Sequence, residues 1–200
     1  MGYKSLLTII TDVEQDTDQL GAAIALARNY DAHLDVMCLA VEHVQASYYY
    51  AGATAVVQTE TLARAQKKAE EMEKATEERL AAEDVRWATE SAVGQVGGMS
   101  GLIALRARFS DLVVHSQPYG TGKRPEEEAI VEAALFEGRA PVMIVPKEGL
   151  GALPPRRIVV AWNQGEEAMM AIRSAMPLLK AADHVDITIV DPPTHGPERS

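Results

Sequence analysis

The amino-acid sequence predicts an open α/β fold of parallel strands alternating with helices, and three observations support it. Residues 111–146, DLVVHSQPYGTGKRPEEEAIVEAALFEGRAPVMIVP, read as strand, loop, helix and strand in one unbroken unit. LLTII at 6–10 is a continuous apolar run, as a central parallel strand buried on both faces requires. Short β-rich runs and helix-patterned segments alternate between residues 4 and 146, for a tally of five strands and four helices.

Within the 111–146 unit, residues 111–115 are one strand and 141–146 a second, bounded by Pro141 and Pro146, which cannot continue a ladder. Pro125 stands where a helix places its first residue, Glu126, Glu127 and Glu128 fill the first turn, and Gly138 occupies the expected C-terminal cap. A strand, helix and strand joined this way form a βαβ crossover. Parallel sheets of this kind bind ligands beyond the carboxyl ends of their strands, so the loop 116–124 is the first place to look for function.

The preceding elements follow the same logic. Residues 4–11 form the first strand, ending at Asp12. From 16 to 30 a helix places Leu20, Ile24 and Ala27 on one face, with Gly21, Ala22, Ala23 and Ala25 small enough for close approach to a sheet; Asp31 ends it. Residues 33–41 are the second strand, and 42–54 a loop carrying Tyr48, Tyr49 and Tyr50. The Ala, Glu, Lys, Gln and Arg content of 55–82 predicts a long solvent-exposed helix with i,i+4 charge support. Residues 86–93 give the third strand, with Trp87 a packing residue, 94–98 a turn, and 99–109 a shorter helix through Leu102, Ile103, Leu105 and Ala107.

At 200 residues, 47% hydrophobic and 24% charged, the chain suffices for one well-buried domain plus a remainder. A net charge of −10 and a pI near 5.0 argue against nucleic acid or an anionic membrane surface as partner. The single cysteine, Cys38, lies in an apolar strand and reads as a small core residue, with neither a disulfide framework nor a cysteine metal motif around it. His33, His43, His184 and His195 are not paired at metal-ligand spacing. The apolar start of the chain gives way at Thr11 and Asp12, too soon for a signal peptide or a membrane span, so the expected location is cytoplasmic.

After Pro146 the composition shifts to KEGLGALPPRR, read as an interdomain linker over 148–156 that closes a first domain at 1–147. A repeat follows over 157–200. IVVAW at 158–162 with Asn163 matches residues 7–11 with Asp12, 166–180 matches the first helix, and 185–190 the second strand.

The strand ending in Asp12, the β-α-β opening, the long second helix and the DLVVHS to APVMIVP ending resemble the universal stress protein family over residues 4–146, with a second such domain beginning over 157–191. The resemblance implies a five-stranded parallel sheet in the order 3-2-1-4-5 with helices on both faces, the adenine-nucleotide alpha hydrolase-like architecture, in a tandem arrangement. Its ATP-binding members carry Gly-x-x-Gly, nine residues, then Gly-Ser or Gly-Thr. Here those four positions hold His115, Pro118, Glu128 and Ala129. Pro118 removes an N–H, and Glu126, Glu127 and Glu128 place negative charge where a triphosphate needs positive dipole.

Gly120 and Gly122 with Lys123 and Arg124 offer a substitute phosphate nest, against the plainer reading of a flexible polar loop. The ligand set carried by the resemblance is Asp12, Val41, His115, Ser116 and Gly120, with Asp12 either contacting a base or ribose or capping a turn. His115, Ser116 and Asp12 at one sheet edge invite a hydrolase reading, but no G-x-S-x-G elbow surrounds Ser116, and polar lining of a cleft is the simpler role. Gly94, Gly97 and Gly98 read as a turn with a packing constraint. The expected function is a stress-response binding or signalling module, not an enzyme and with no cofactor. The alternative is an adenine-nucleotide binder, for ATP or AMP, using Asp12 and the loop 116–124. The expected partner is a second copy, or the second domain, paired through the edge strand 142–145.

Overall fold

The computed structural model describes residues 2–42, 54–95 and 98–190, with backbone alone for 54–58. The tyrosines at 48–50, His43, Gly97, and residues 191–200 with His195 lie outside the described residues. The chain divides into two compact units: Tyr3–Leu150, and Gly151–Ser200 together with Met1–Gly2.

In the first unit, β1 (Ser5–Ile10), α1 (Thr17–Tyr30), β2 (His33–Glu42), α2 (Thr54–Leu80), β3 (Arg86–Gln95), α3 (Met99–Ala107), β4 (Leu112–Ser116), α4 (Pro125–Glu132) and β5 (Val142–Val145) follow in order, and a π-helical turn, Ala133–Glu137, extends α4. The five strands pair in parallel in the order β3-β2-β1-β4-β5. Leu6, Leu7, Ile9 and Ile10 of β1 are each at most 1% exposed, which is what the unbroken apolar run demands of a strand covered on both faces. Leu7, Ile9, Met37, Leu39 and Val113 meet Ile103 and Ala107 of α3 and Ile130, Ala133 and Ala134 of α4 and its extension. On the opposite face α1 and α2 cover the sheet, where Cys38 Sγ lies 3.5 Å from Thr76 Oγ1 of α2. Burial pushes the Cys38 thiol up to about 11, as expected of an inert core cysteine.

Three local expectations change. β3 does not turn at Gly94. Its pairing with β2 continues through Val41↔Gly94 and Glu42↔Gln95, and the glycine serves packing, since a Cβ there would lie 2.7 Å from Met99 Cβ. The helix predicted to Phe109 stops at Ala107, where Phe109 N–H and Ser110 N–H turn back to the carbonyls of Arg106 and Ala107. Gly138 caps the π-helical turn with a right-handed φ of −75°, and the left-handed position falls one residue later, on Arg139 at φ 54°. A Cβ at Gly138 would sit 2.7 Å from Ala134 O and 2.9 Å from Ala107 Cβ, so the turn's own carbonyl and the close approach of α3 together require the glycine.

The second unit holds β6 (Arg157–Ala161), α5 (Glu166–Ala181) and β7 (His184–Thr188), with β6 and β7 parallel. None of α5 is buried, and Val159 and Ile187 are 63% and 69% exposed.

Gly138→Ala should destabilise the first unit by about 1–3 kcal/mol, because the added methyl overpacks a contact made of backbone and an alanine that cannot turn away. Urea denaturation read by circular dichroism tests this. An unchanged midpoint would show that α3 gives way freely.

Candidate functional site

β1 and β4 are neighbours, and their ladder runs only from Leu6↔Leu112 to Thr8↔Val114. Beyond that pair the strands diverge, opening the crevice at which doubly wound sheets bind ligands and leaving backbone groups without ladder partners. Gln19 of α1, 1% exposed, fills the gap. Its Nε2 donates to Ile9 O at 2.7 Å and Thr8 Oγ1 at 2.9 Å, and its Oε1 accepts from Ser116 N–H at 2.7 Å. Thr8 Oγ1 in turn donates to Val114 O at 2.9 Å. One amide thus completes a ladder that the strands abandon.

A second, charged layer lies over it. Asp16, 4% exposed, accepts from the N–H groups of Thr11 at 2.8 Å and Asp12 at 3.0 Å through Oδ2, and from Arg124 at 2.7 Å through Oδ1. Arg124 Nε donates to Glu127 Oε1 at 2.9 Å, and Lys123 Nζ lies 3.1 Å from Glu127 Oε2 while donating to Ser116 Oγ at 3.3 Å. Glu127 is 2% exposed. Burial by itself would raise its carboxyl, but hydrogen bonds from Arg124 and Lys123 prevail and hold it below the usual range. The cluster carries two cations and two anions and is therefore neutral.

The predicted site residues are distributed through this arrangement. Asp12 is partly buried and its Oδ1 accepts from Glu14 N–H and Gln15 N–H, both at 3.0 Å, so its carboxylate caps the turn before α1. Asn163 does the same in the second unit, accepting from Gly165 N–H at 2.9 Å. Val41 pairs with Gly94 in β2–β3 and packs against the core. His115 is 2% exposed, and its Nδ1 donates 2.8 Å to Ser116 O; burial pushes its basicity below the ordinary imidazole value. The Ser116 hydroxyl receives Lys123, and the structure does not bring His115 to it. Gly120 and Gly122 have φ of 118° and 83°, and Lys123 N–H closes the turn on Gly120 O at 3.3 Å.

Neither Asp16 nor Gln19 was singled out in the sequence. The spacing of Lys123 and Arg124 from Glu127 at i,i+4 and i,i+3 was the one available sign that these cations were already paired.

The buried His115 makes stability depend on pH with a definite sign. Its folded value lies below the ordinary 6.5, so below about pH 6.5 the unfolded chain binds a proton that the folded chain refuses. Stability should fall as pH drops through that window, by at most about 1.4 kcal/mol per unit for this group. Glu127, depressed below 4.5, adds its own loss only further into acid. His115→Asn, which keeps a donor for Ser116 O, should flatten the first limb in urea melts at pH 7 and below. An equal slope in parent and variant would place the proton uptake elsewhere.

No family model and no curated protein sequence matches the chain. Among solved structures it is similar to universal stress protein UspA from Lactobacillus plantarum, at 18% identity and a TM-score of 0.55, over 72% of this chain and 98% of that one. It is similar also to a universal stress protein from Archaeoglobus fulgidus, at 12% identity and a TM-score of 0.57, over 92% of this chain and 77% of that one. With strand order 3-2-1-4-5, parallel throughout, the chain has the fold of the universal stress proteins.

Proposed function

We propose that the protein is a tandem-type universal stress protein acting as a cytoplasmic binding or signalling module, with neither an ATP phosphate site nor enzymatic activity. One observation carries the reading: Lys123 and Arg124, the cations available at the start of α4, are committed to Glu127 and Asp16 inside the fold. A triphosphate entering there would face two buried carboxylates and would have to strip them of their partners, a cost of several kcal/mol before any contact is gained. Pro118 withholds an N–H from the same loop, and Glu126 and Glu128 add charge of the wrong sign. Against a hydrolase, His115 is tied to a backbone carbonyl and Asp12 to its own turn. Among the described residues no helix is long and apolar enough to cross a membrane, and no group of three or more His, Cys, Asp or Glu side chains is placed to hold a metal.

Calorimetric titration of the full chain with ATP and Mg²⁺ should give no binding tighter than millimolar, about −4 kcal/mol. A micromolar constant overturns the reading and favours an adenine-nucleotide binder held at Asp12 and the loop 116–124.

The partner in this reading is a second copy, or a further domain, at the β5 edge. Among the described residues β5 pairs with β4 alone, and its Val142–Val145 segment carries no charge and exposes Ile144 to 39%. An open apolar edge of this kind satisfies its backbone groups by antiparallel pairing about a two-fold axis. Met143→Lys should weaken that association, seen by light scattering as a shift toward lower mass. A parent that stays monomeric at tens of micromolar would refute the edge as an interface.

A further inference from the structure

The α3 side of the sheet is roofed over one half only. α3 and α4 with its π-helical turn lie over β1, the carboxyl half of β2, β4 and β5, and α3 reaches β3 at two points: Met99 beside Gly94, and Arg106 paired with Glu90 at 2.5 Å. Toward the amino-terminal end of the strands, before the Glu90 contact, the register aligns Leu7, Asp35 and Ala88 across β1, β2 and β3, on the face that carries the core toward α3. Ala88 is exposed. A cavity of about 240 Å³ remains there, with Leu7, Ala88 and Phe109 as its apolar lining and Asp35, Glu90 and Arg106 as its polar rim. It lies away from the carboxyl ends of the strands and shares no residue with the cluster around Glu127.

The other flank of α3 carries the converse feature. Ala104 and Ala107 face the π-helical turn through Gly138, and on that turn Phe136 is 73% exposed. The chain has two phenylalanines, and Phe109, at the cavity, is the other, 77% exposed. α3 thus separates an outward aromatic knob from an open apolar hollow large enough for a phenyl ring, with Leu105, 46% exposed, on the helix between them. Leaving such side chains in water forgoes the burial that aromatic residues ordinarily supply at interfaces.

We propose that this face is an isologous interface between two copies of the chain, with a two-fold axis beside Leu105 that places Phe136 of each copy in the cavity of the other. A two-fold operation through a helix lying between knob and hollow exchanges the two, so both contacts form together and the surface closes on itself. The charges agree. Arg139, three residues beyond Phe136, is exposed and takes part in no ion pair among the described residues, while the cavity rim holds two carboxylates against one guanidinium. Asp35 is paired through Oδ1 with His33 at 3.2 Å, and both side chains remain partly exposed, so the partner's Arg139 would join that pair at the rim. The proposal rests on the first unit's own surface, independently of the ATP reading and of the β5 edge.

The test uses the full chain in the Met143→Lys background, so that the β5 edge contributes nothing. Sedimentation equilibrium should report a dimer. Phe136→Asp, at an exposed position whose fold is checked by circular dichroism, should raise the dimer dissociation constant about 30-fold or more, the range of an aromatic anchor. Ala88→Arg, which fills the cavity, should do the same from the other side. Mixing the two variants should restore association above either alone, since one keeps an open cavity and the other keeps its phenylalanine. Arg139→Glu should weaken the dimer and Asp35→Arg added to it should recover it. A Met143→Lys chain that is monomeric at tens of micromolar, a dimer that ignores both Phe136→Asp and Ala88→Arg, or a mixture no better than its components overturns the proposal.

Discussion

The first unit depends on how the crevice between β1 and β4 is closed. Parallel strands that diverge beyond Thr8↔Val114 leave N–H and C=O groups without ladder partners in the middle of the first unit's sheet. In this chain the closure is internal: the Gln19 amide bridges the strands, and Asp16, Arg124 and Glu127 lock the start of α1 to the start of α4 above it. Buried ion pairs of this sort add little net stability over an apolar isostere, but removing one member leaves a bare charge in the interior at about 3–5 kcal/mol. The cluster therefore fixes the geometry of the crevice more than it strengthens the fold.

That closure is also what the proposed lack of a phosphate site at the carboxyl edge rests on. A helix N-terminus and two cations would attract an anion, and Glu127, on the first turn of α4, is already that anion, brought by the chain itself. Asp12 is turned to a similar internal use. The second unit is informative here, because Asn163 caps its turn through the same i to i+2 geometry although it carries no charge. The two units share further local detail: His33 N–H bonds Lys4 O as His184 N–H bonds Arg156 O, and each histidine pairs with the aspartate two residues on, at 3.2 and 3.1 Å. A strand-end Asp or Asn thus serves the turn in both units.

Much of the fold was legible because burial on both faces writes itself directly into a strand. LLTII, MCLA and LVVH are nearly continuous apolar runs because helices cover both sides there, Asp35 marks where β2 leaves that cover, and the proline-first, acid-first start of α4 is equally local. What could not be read was long-range. The Ser116–Gln19 bond spans 97 residues and Asp16–Arg124 spans 108, and no periodicity marks either. Lys123 and Arg124 looked available because the two glycines before them suggest a nest, whereas their spacing to Glu127 gives the pairing. Gly138 was placed correctly as a cap but for a different reason, since the need for a small residue arises from the carbonyl of Ala134 and from Ala107 of α3, and the left-handed turn falls on Arg139.

The π-helical turn joins these observations. α4 enters under control of the charge cluster, with Glu127, Ile130 and Val131 buried, and its extension must still present Ala133 and Ala134 to α3 while Gly138 passes against Ala107. Widening the last turn by a residue meets both conditions, and the residues displaced to the outside are Leu135 and Phe136, 41% and 73% exposed. The exposed phenylalanine is thus a consequence of how tightly α3 and α4 approach. The same close approach keeps both helices over β1, the carboxyl half of β2, β4 and β5, and on that side of the sheet leaves the amino-terminal half of β2 and β3 open. Crevice closure, helix approach, exposed knob and open hollow form one chain of cause, set at one end by a buried carboxylate and at the other by a glycine.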